Sequence, residues 1–134
     1  MNINFSGVFK RGIVLNMMYV FGGAFDPLHN GHMDMIQHIQ LLDNLTMLML
    51  IPTGVSVTGK EFYFSKESRL RMVQSQFHGD KTVQVLAYEL KKSEPSFMIE
   101  TIEYLNTQYP SEKIRLVLGY DQLLQFHLWK DYQQ

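Results

Sequence analysis

The chain has 134 residues, 46% of them apolar, 19% charged and 13% aromatic, enough for one domain to bury a core without disulfides or metals. Twelve Lys and Arg against thirteen Asp and Glu give a net charge of −1, which supplies no basic footprint for nucleic acid or an anionic membrane. The absence of cysteine excludes disulfides, thiol nucleophiles, iron–sulfur clusters and thiolate zinc sites.

Residues 1–16 (MNINFSGVFKRGIVLN) place Lys10 and Arg11 ahead of only a short apolar stretch. A secretory leader needs roughly 7–15 apolar residues and a small-residue cleavage site, so this is not read as a signal peptide. Met17 and Met18 stand directly before the first convincing strand. Residues 1–16 therefore read as an N-terminal extension, disordered or upstream of the true start, and residues 17–134 as the domain. A β-prone stretch at residues 12–15 leaves an added edge strand as the alternative. The lack of cysteine fits a cytoplasmic protein, and no apolar run approaches the ~20 residues of a membrane helix.

From Met18 onward, strand and helix patterns alternate. Met18–Phe21 is a short apolar run ended by Gly22 and Gly23, a buried strand entering a tight loop. Residues 31–42 carry Met33, Met35, Ile36, Ile39, Leu41 and Leu42 at helical spacings and predict an amphipathic helix. Residues 46–51 (TMLMLI) predict a strand stopped by Pro52, and residues 53–63 a loop. Ser65 predicts an N-cap for a helix running to Phe77, with Leu70, Val73 and Phe77 inward and Arg69 and Arg71 in solvent. Residues 82–86 form a β-branched strand. Ser96 is expected to cap a helix to Tyr109, with Ile99, Ile102 and Leu105 inward and Pro110 stopping it. Residues 114–118 read as another buried strand, closed by Gly119. The nine methionines fall mostly at such apolar positions and read as core filler. This alternation predicts an α/β plan with a parallel sheet. Ligands of such sheets bind beyond the carboxyl ends of the strands, which gathers residues 22–32, 52–60 and 119–129 on one rim.

Residues 22–32, GGAFDPLHNGH, lead from a strand into a helix. Gly22 and Gly23 let a ligand approach the backbone closely. Asp26–Pro27 fixes a turn, and Gly31 opens the helix. His29 and His32 stand three apart, His32 in the first turn, where free N–H groups and the helix dipole favour an anion. Together they make a compact phosphate grip. A zinc site would want a third ligand, and His38, His78 and His127 show no companion spacing. The string matches neither G-x-G-x-x-G nor a P-loop with its lysine. Either histidine alone could simply fill a loop, but the whole string converges on one function.

GGAFDPLHNGH resembles the (H/T)-x-G-H signature of the nucleotidylyltransferase superfamily, most closely the bacterial nicotinate-nucleotide adenylyltransferases. IPTG at residues 51–54 is similar to the family's second-strand exit. FSKESRLRMV at 64–73 is similar to its helix that opens with Ser and carries Arg–Leu. EPSFMIETIEYLNTQYP at 94–110 resembles the P-S-(Y/F)-T helix, and VLGYDQLLQFHLWKDY at 117–132 resembles G-A-D-x-L followed by a Trp-containing loop.

The resemblance implies a Rossmann-like parallel sheet flanked by helices, the nucleotidylyltransferase fold. It also implies transfer of the adenylyl group of ATP to nicotinate mononucleotide, giving deamido-NAD and pyrophosphate in NAD biosynthesis. His29 and His32 are the implied catalytic pair on the ATP phosphates. Gly22, Gly23, Phe25, Gly119 and Asp121 complete the implied ATP side. Thr53, Lys60, Met98 and Trp129 fall on the nicotinate-mononucleotide side, Trp129 stacking on the pyridine ring. Asp26 is expected to shape the loop, because the attacking phosphate needs no deprotonation. Magnesium is expected to come in with ATP rather than in a protein cage. No resident metal, nucleic acid or membrane partner is implied.

Three departures from the family bear on function. Lys60 is displaced from the family's phosphate-binding lysine, and Met98 replaces a helix threonine. The family's further strand and its I-S-(S/T)-x-x-(I/V)-R motif have no counterpart before Gln134. The resemblance thus implies a C-terminally truncated enzyme that transfers little or no adenylyl group by itself. A sheet edge left open by a missing strand favours a homodimer. The alternatives are a phosphopantetheine or glycerol-phosphate nucleotidylyltransferase, or a non-catalytic nucleotide-binding remnant. The phosphopantetheine branch carries Thr where His29 stands.

Overall fold

Successive side chains of a strand point to opposite faces, and β1 (Met17–Gly23) fills a core on each. Tyr19 and Phe21 join Ile36 and Ile39 of α1 (Asn30–Gln40) and Val73 of α2 (Lys66–Gln76). Met18 and Val20 join Leu105 of α3 (Met98–Gln108) on the other face. β2 (Leu45–Pro52) divides likewise, Leu48 and Leu50 to the first core and Met49 and Ile51 to the second. Parallel strands covered on both faces need such unbroken apolar runs.

The computed structural model describes residues 16–134. It contains a four-stranded parallel sheet in the order β3-β2-β1-β4, with β3 at Val83–Val85 and β4 at Lys113–Val117. β1 pairs with β2 from Met17↔Leu45 to Gly23↔Pro52, and with β4 from Met17↔Lys113 to Phe21↔Val117. The chain steps outward from β1 to β3 and then returns across the sheet to β4. Strand order therefore reverses beside β1, where open α/β sheets hold their ligands. This is the Rossmann-like plan expected from the sequence. The expected extension and the alternative edge strand fall on residues outside the described ones, apart from Asn16, whose carbonyl accepts from the Lys113 N–H at 3.1 Å. No helix among the described residues is long and apolar enough to cross a membrane.

Several local expectations are overturned. α1 stops at Gln40, leaving Leu41 80% exposed and Leu42 outside the apolar face. The chain must turn there to reach β2, a turn held by the Tyr19 hydroxyl donating to Asn44 Oδ1 at 3.0 Å. Ser96 does not cap α3, because Phe97 is the N-cap and the Ser96 hydroxyl is buried without a partner. β4 is not a buried strand. It lies at the sheet edge with Ile114 and Leu116 against the α3 core, while Lys113 and Arg115 are exposed. Ser65, by contrast, caps α2 as expected, accepting from the Ser68 N–H at 3.1 Å.

Past β2, Gly54 is pressed onto a single helical turn at Glu89–Lys91. A Cβ on Gly54 would collide with the Glu89 carbonyl oxygen and lie 2.6 Å from the carbonyl carbon. The Glu89 side chain is itself buried and accepts from the Thr101 hydroxyl at 2.8 Å. Burial pushes its carboxyl up, opposed by that hydrogen bond and by Lys92. The exit of β2 is thus seated directly on the segment that leads into α3.

Candidate active site

β1 hands the chain at Gly23 to a loop that turns through Phe25, whose φ of 46° lies in the left-handed region. The Phe25 ring is fully buried, meets Phe21 edge-on at 5.6 Å and packs on His32 at 4.9 Å. The whole of Phe25, backbone included, is withdrawn from the surface, so it serves as the floor under His32. Beyond it, His29 is the N-cap of α1, its Nδ1 accepting from the N–H groups of Gly31 at 3.1 Å and His32 at 3.4 Å. His32 reciprocates, its Nδ1 accepting from the His29 N–H at 3.2 Å. The two rings stack at 3.7 Å between centroids.

This capping box decides the tautomers. A ring nitrogen that accepts a backbone N–H carries no proton, so each neutral imidazole carries its proton on Nε2. Two Nε2–H donors are thereby fixed side by side at the N-terminal end of α1. The expected grip by free helix N–H groups is corrected in one respect: those of Gly31 and His32 are already spent on His29. What remains there to meet an anion is the Nε2–H pair and the helix dipole.

Burial first, and the adjacent His29 ring second, push His32 from 6.5 down to about 4. A histidine held below its unfolded value binds fewer protons folded than unfolded. Its contribution to stability is complete above pH 6.5 and is lost as pH falls through about 4. We expect a loss of about 1–2 kcal/mol over that window, allowing for the ring's partial exposure. Urea denaturation of wild type and His32→Gln at stepped pH reads it, and the variant should lack this part of the slope.

The second loop at this rim, between β2 and α2, is clasped to the histidine loop. Asp26 accepts from the Tyr63 N–H at 2.6 Å and the Phe64 N–H at 2.8 Å. Burial pushes Asp26 up, but those N–H groups and the charges of Arg69 and Lys60 outweigh it and hold it below the usual carboxylate range. Both of its oxygens are spent on the loop. Arg69 was expected in solvent and is fully buried instead. Its Nη1 donates to Ala24 O at 2.7 Å and Thr53 O at 2.8 Å, and its Nε to Phe64 O at 3.3 Å. Those carbonyls reward a guanidinium in the interior, which overrides the usual preference of arginine for water. Its place one turn before Val73, on the inward face of α2, was the available sequence signal.

The remaining expected site residues divide into groups. Gly22 and Gly23 end β1, and Gly23 O accepts from the Thr53 N–H at 2.9 Å. Lys60 is exposed in the second loop, near enough to Asp26 to lower it. Met98, at the start of α3, reaches back over Gly22, its methyl lying 2.6 Å from where a Gly22 Cβ would stand. Trp129 is half-buried on the α3 side of the sheet and packs on Phe126 at 5.4 Å. With Met98, Ile102, Leu116 and Phe126 it lines a groove of about 310 Å³ to which the histidine loop contributes nothing. Met98 thus links the two halves. Gly119 is the N-cap of the short helix α4 (Tyr120–Gln125), and Asp121 sits in its first turn. Among the described residues, no group of three or more His, Asp or Glu is placed to hold a metal.

Comparison with known proteins bears on the family and the fold. A family model described as cytidylyltransferase-like matches residues 20–134. A Nitratiruptor relative, described as a probable nicotinate-nucleotide adenylyltransferase, is 31% identical over 115 residues, covering 86% of this chain and 65% of its own. A Leptospira interrogans relative with the same description is 34% identical over 119 residues, covering 86% and 59%. The chain therefore spans less than two thirds of the length of these relatives. The solved Plasmodium falciparum nicotinic acid mononucleotide adenylyltransferase, complexed with NaAD, is 16% identical with a TM-score of 0.72, over 88% of this chain and 58% of that one. At that identity the likeness is one of fold. Matched from within β1 to Gln134, the chain belongs to the cytidylyltransferase-like family.

Proposed function

We propose that this chain carries the nucleotide site of a nicotinate-nucleotide adenylyltransferase, an enzyme of NAD biosynthesis. The observation that carries this is the pair of imidazoles whose Nδ1 atoms are tied to the loop backbone, leaving two Nε2–H donors beside the reversal in strand order. The names of the relatives support the choice of substrate.

In the proposed reaction a phosphate oxygen of nicotinate mononucleotide forms a bond to the α-phosphorus of ATP. The bond from that phosphorus to the oxygen bridging to the β-phosphorus breaks, and pyrophosphate leaves with the electron pair. No covalent enzyme intermediate forms, so the protein's task is positioning and charge stabilisation. His29 and His32 donate through Nε2 to the phosphate oxygens on which charge accumulates. Magnesium enters as part of the MgATP substrate. The backbone of Gly22 and Gly23 lies along the nucleotide with Phe25 buried behind it, and Gly119 and Asp121 lie toward its ribose. Thr53 and Lys60 face the acceptor phosphate, and Trp129 stacks on the pyridine ring beside Met98. A cytoplasmic setting and a homodimer belong to the same proposal.

Trp129 is the sole tryptophan, so its fluorescence reports the acceptor side directly. Nicotinate mononucleotide is expected to quench it, and calorimetry is expected to show ATP binding. Binding of CTP in preference to ATP, or no response to nicotinate mononucleotide, would overturn the proposal.

A further inference from the structure

Ala24 and Thr53 leave the carboxyl ends of adjacent strands in different loops, yet one nitrogen of Arg69 holds both carbonyls, at 2.7 and 2.8 Å. The same guanidinium reaches Phe64 O through Nε at 3.3 Å and lies 4.2 Å from the centre of the Phe62 ring. It is fully buried, and its Nη2 has no acceptor. Stability alone does not account for that choice. A buried charge with an orphaned donor is a poor stabiliser, and an apolar side chain of similar volume would fill the space without either cost. What arginine adds is a rigid planar fork that fixes separate backbone segments at set distances.

We propose that Arg69 is a positioning residue of the nucleotide site, fixing the backbone at Ala24, and through it Phe25 and His32, against the loop that carries Thr53 and Lys60. The residue after Ala24 is Phe25, held in the left-handed region with its ring under His32. Phe21, Phe25 and His29 are the rings that pack on His32. A shift of the Ala24 carbonyl therefore moves the floor on which His32 rests. Asp26 completes the clasp from the opposite loop, taking the N–H groups of Tyr63 and Phe64.

The inference rests on the histidine loop being the nucleotide site, and its test needs no ligand, so the two can fail separately. R69K keeps the charge but offers a point donor in place of the fork. In the folded variant, NMR titration of the His32 ring should show its midpoint raised by about one pH unit or more, as the ring regains water. A lower melting temperature with a smaller shift than that would mark Arg69 as merely structural and overturn the proposal. Should R69K fail to fold, hydrogen exchange in the wild-type chain decides. The Arg69 Nε–H and the amides of Gly31 and His32 are expected to show protection within about tenfold of one another, as one opening unit. Loop amides exchanging faster than the Arg69 Nε–H by more than that would overturn it. A wild-type chain that binds no ATP would overturn the nucleotide reading and leave the His32 titration to judge Arg69.

Discussion

Gly54→Ala is expected to cost about 3 kcal/mol of stability, near the upper end for an overpacked site. A melting point about 10 °C lower follows for a chain of this size. The added methyl would run into the backbone carbonyl of Glu89, with the Leu90 Cα at 3.3 Å behind it. A main-chain group in a helical turn cannot swing aside as a flexible side chain can, so one of the two segments must retreat. The next residue back is Thr53, whose carbonyl is held by Arg69. Retreat on the Gly54 side therefore pulls at the clasp between the two loops. Urea unfolding followed by circular dichroism measures the cost, and an unchanged midpoint would show that the loop separates freely from the Glu89–Lys91 turn.

If the histidine loop is the nucleotide site proposed above, His32→Ala is expected to weaken ATP binding about 10–100-fold, the usual cost of deleting one hydrogen bond to a charged group. Calorimetry measures it, and the fold should survive because the His29 cap remains. His29 needs a different pair of variants, since its ring both caps α1 and presents a donor. His29→Ala removes both functions and should cost about 1 kcal/mol of stability besides the affinity for ATP. His29→Asn restores a good N-cap without restoring a donor at the same reach. It should therefore recover the melting temperature while the affinity for ATP stays low. Recovery of both by asparagine would show that His29 acts only on the helix.

The parts of the fold that were legible in the sequence are those set by local periodicity. The runs around Val20 and Met49 are apolar on both faces because helices cover both, and Ser65 stands where α2 begins. The histidine string was equally legible, since its members lie within one turn and one loop. What the sequence hid depends on atoms brought from afar. Arg69 shares the inward face of α2 with Val73, but its burial makes sense only when Ala24 O, 45 residues away, arrives as an acceptor. Gly54 is a permissive loop residue until the Glu89 backbone is laid against it. Ser96 has the chemistry of a cap, yet its hydroxyl turns inward and Phe97 takes the position. β4 is apolar enough for a central strand, and only the strand order places it at an edge.

That strand order also governs how the protein must assemble in time. Met17 finds Leu45 early, but its partner on the other side is Lys113. Parallel pairing across so long a stretch of chain is slow, because the intervening loop must be closed before any contact rewards it. During synthesis β1, β2 and β3 are available to one another well before β4 emerges. Until then the second edge of β1, with its MMYVF run, is open to pairing with a neighbouring chain. The strand that launches the histidine loop is therefore sealed on both sides only once β4 docks.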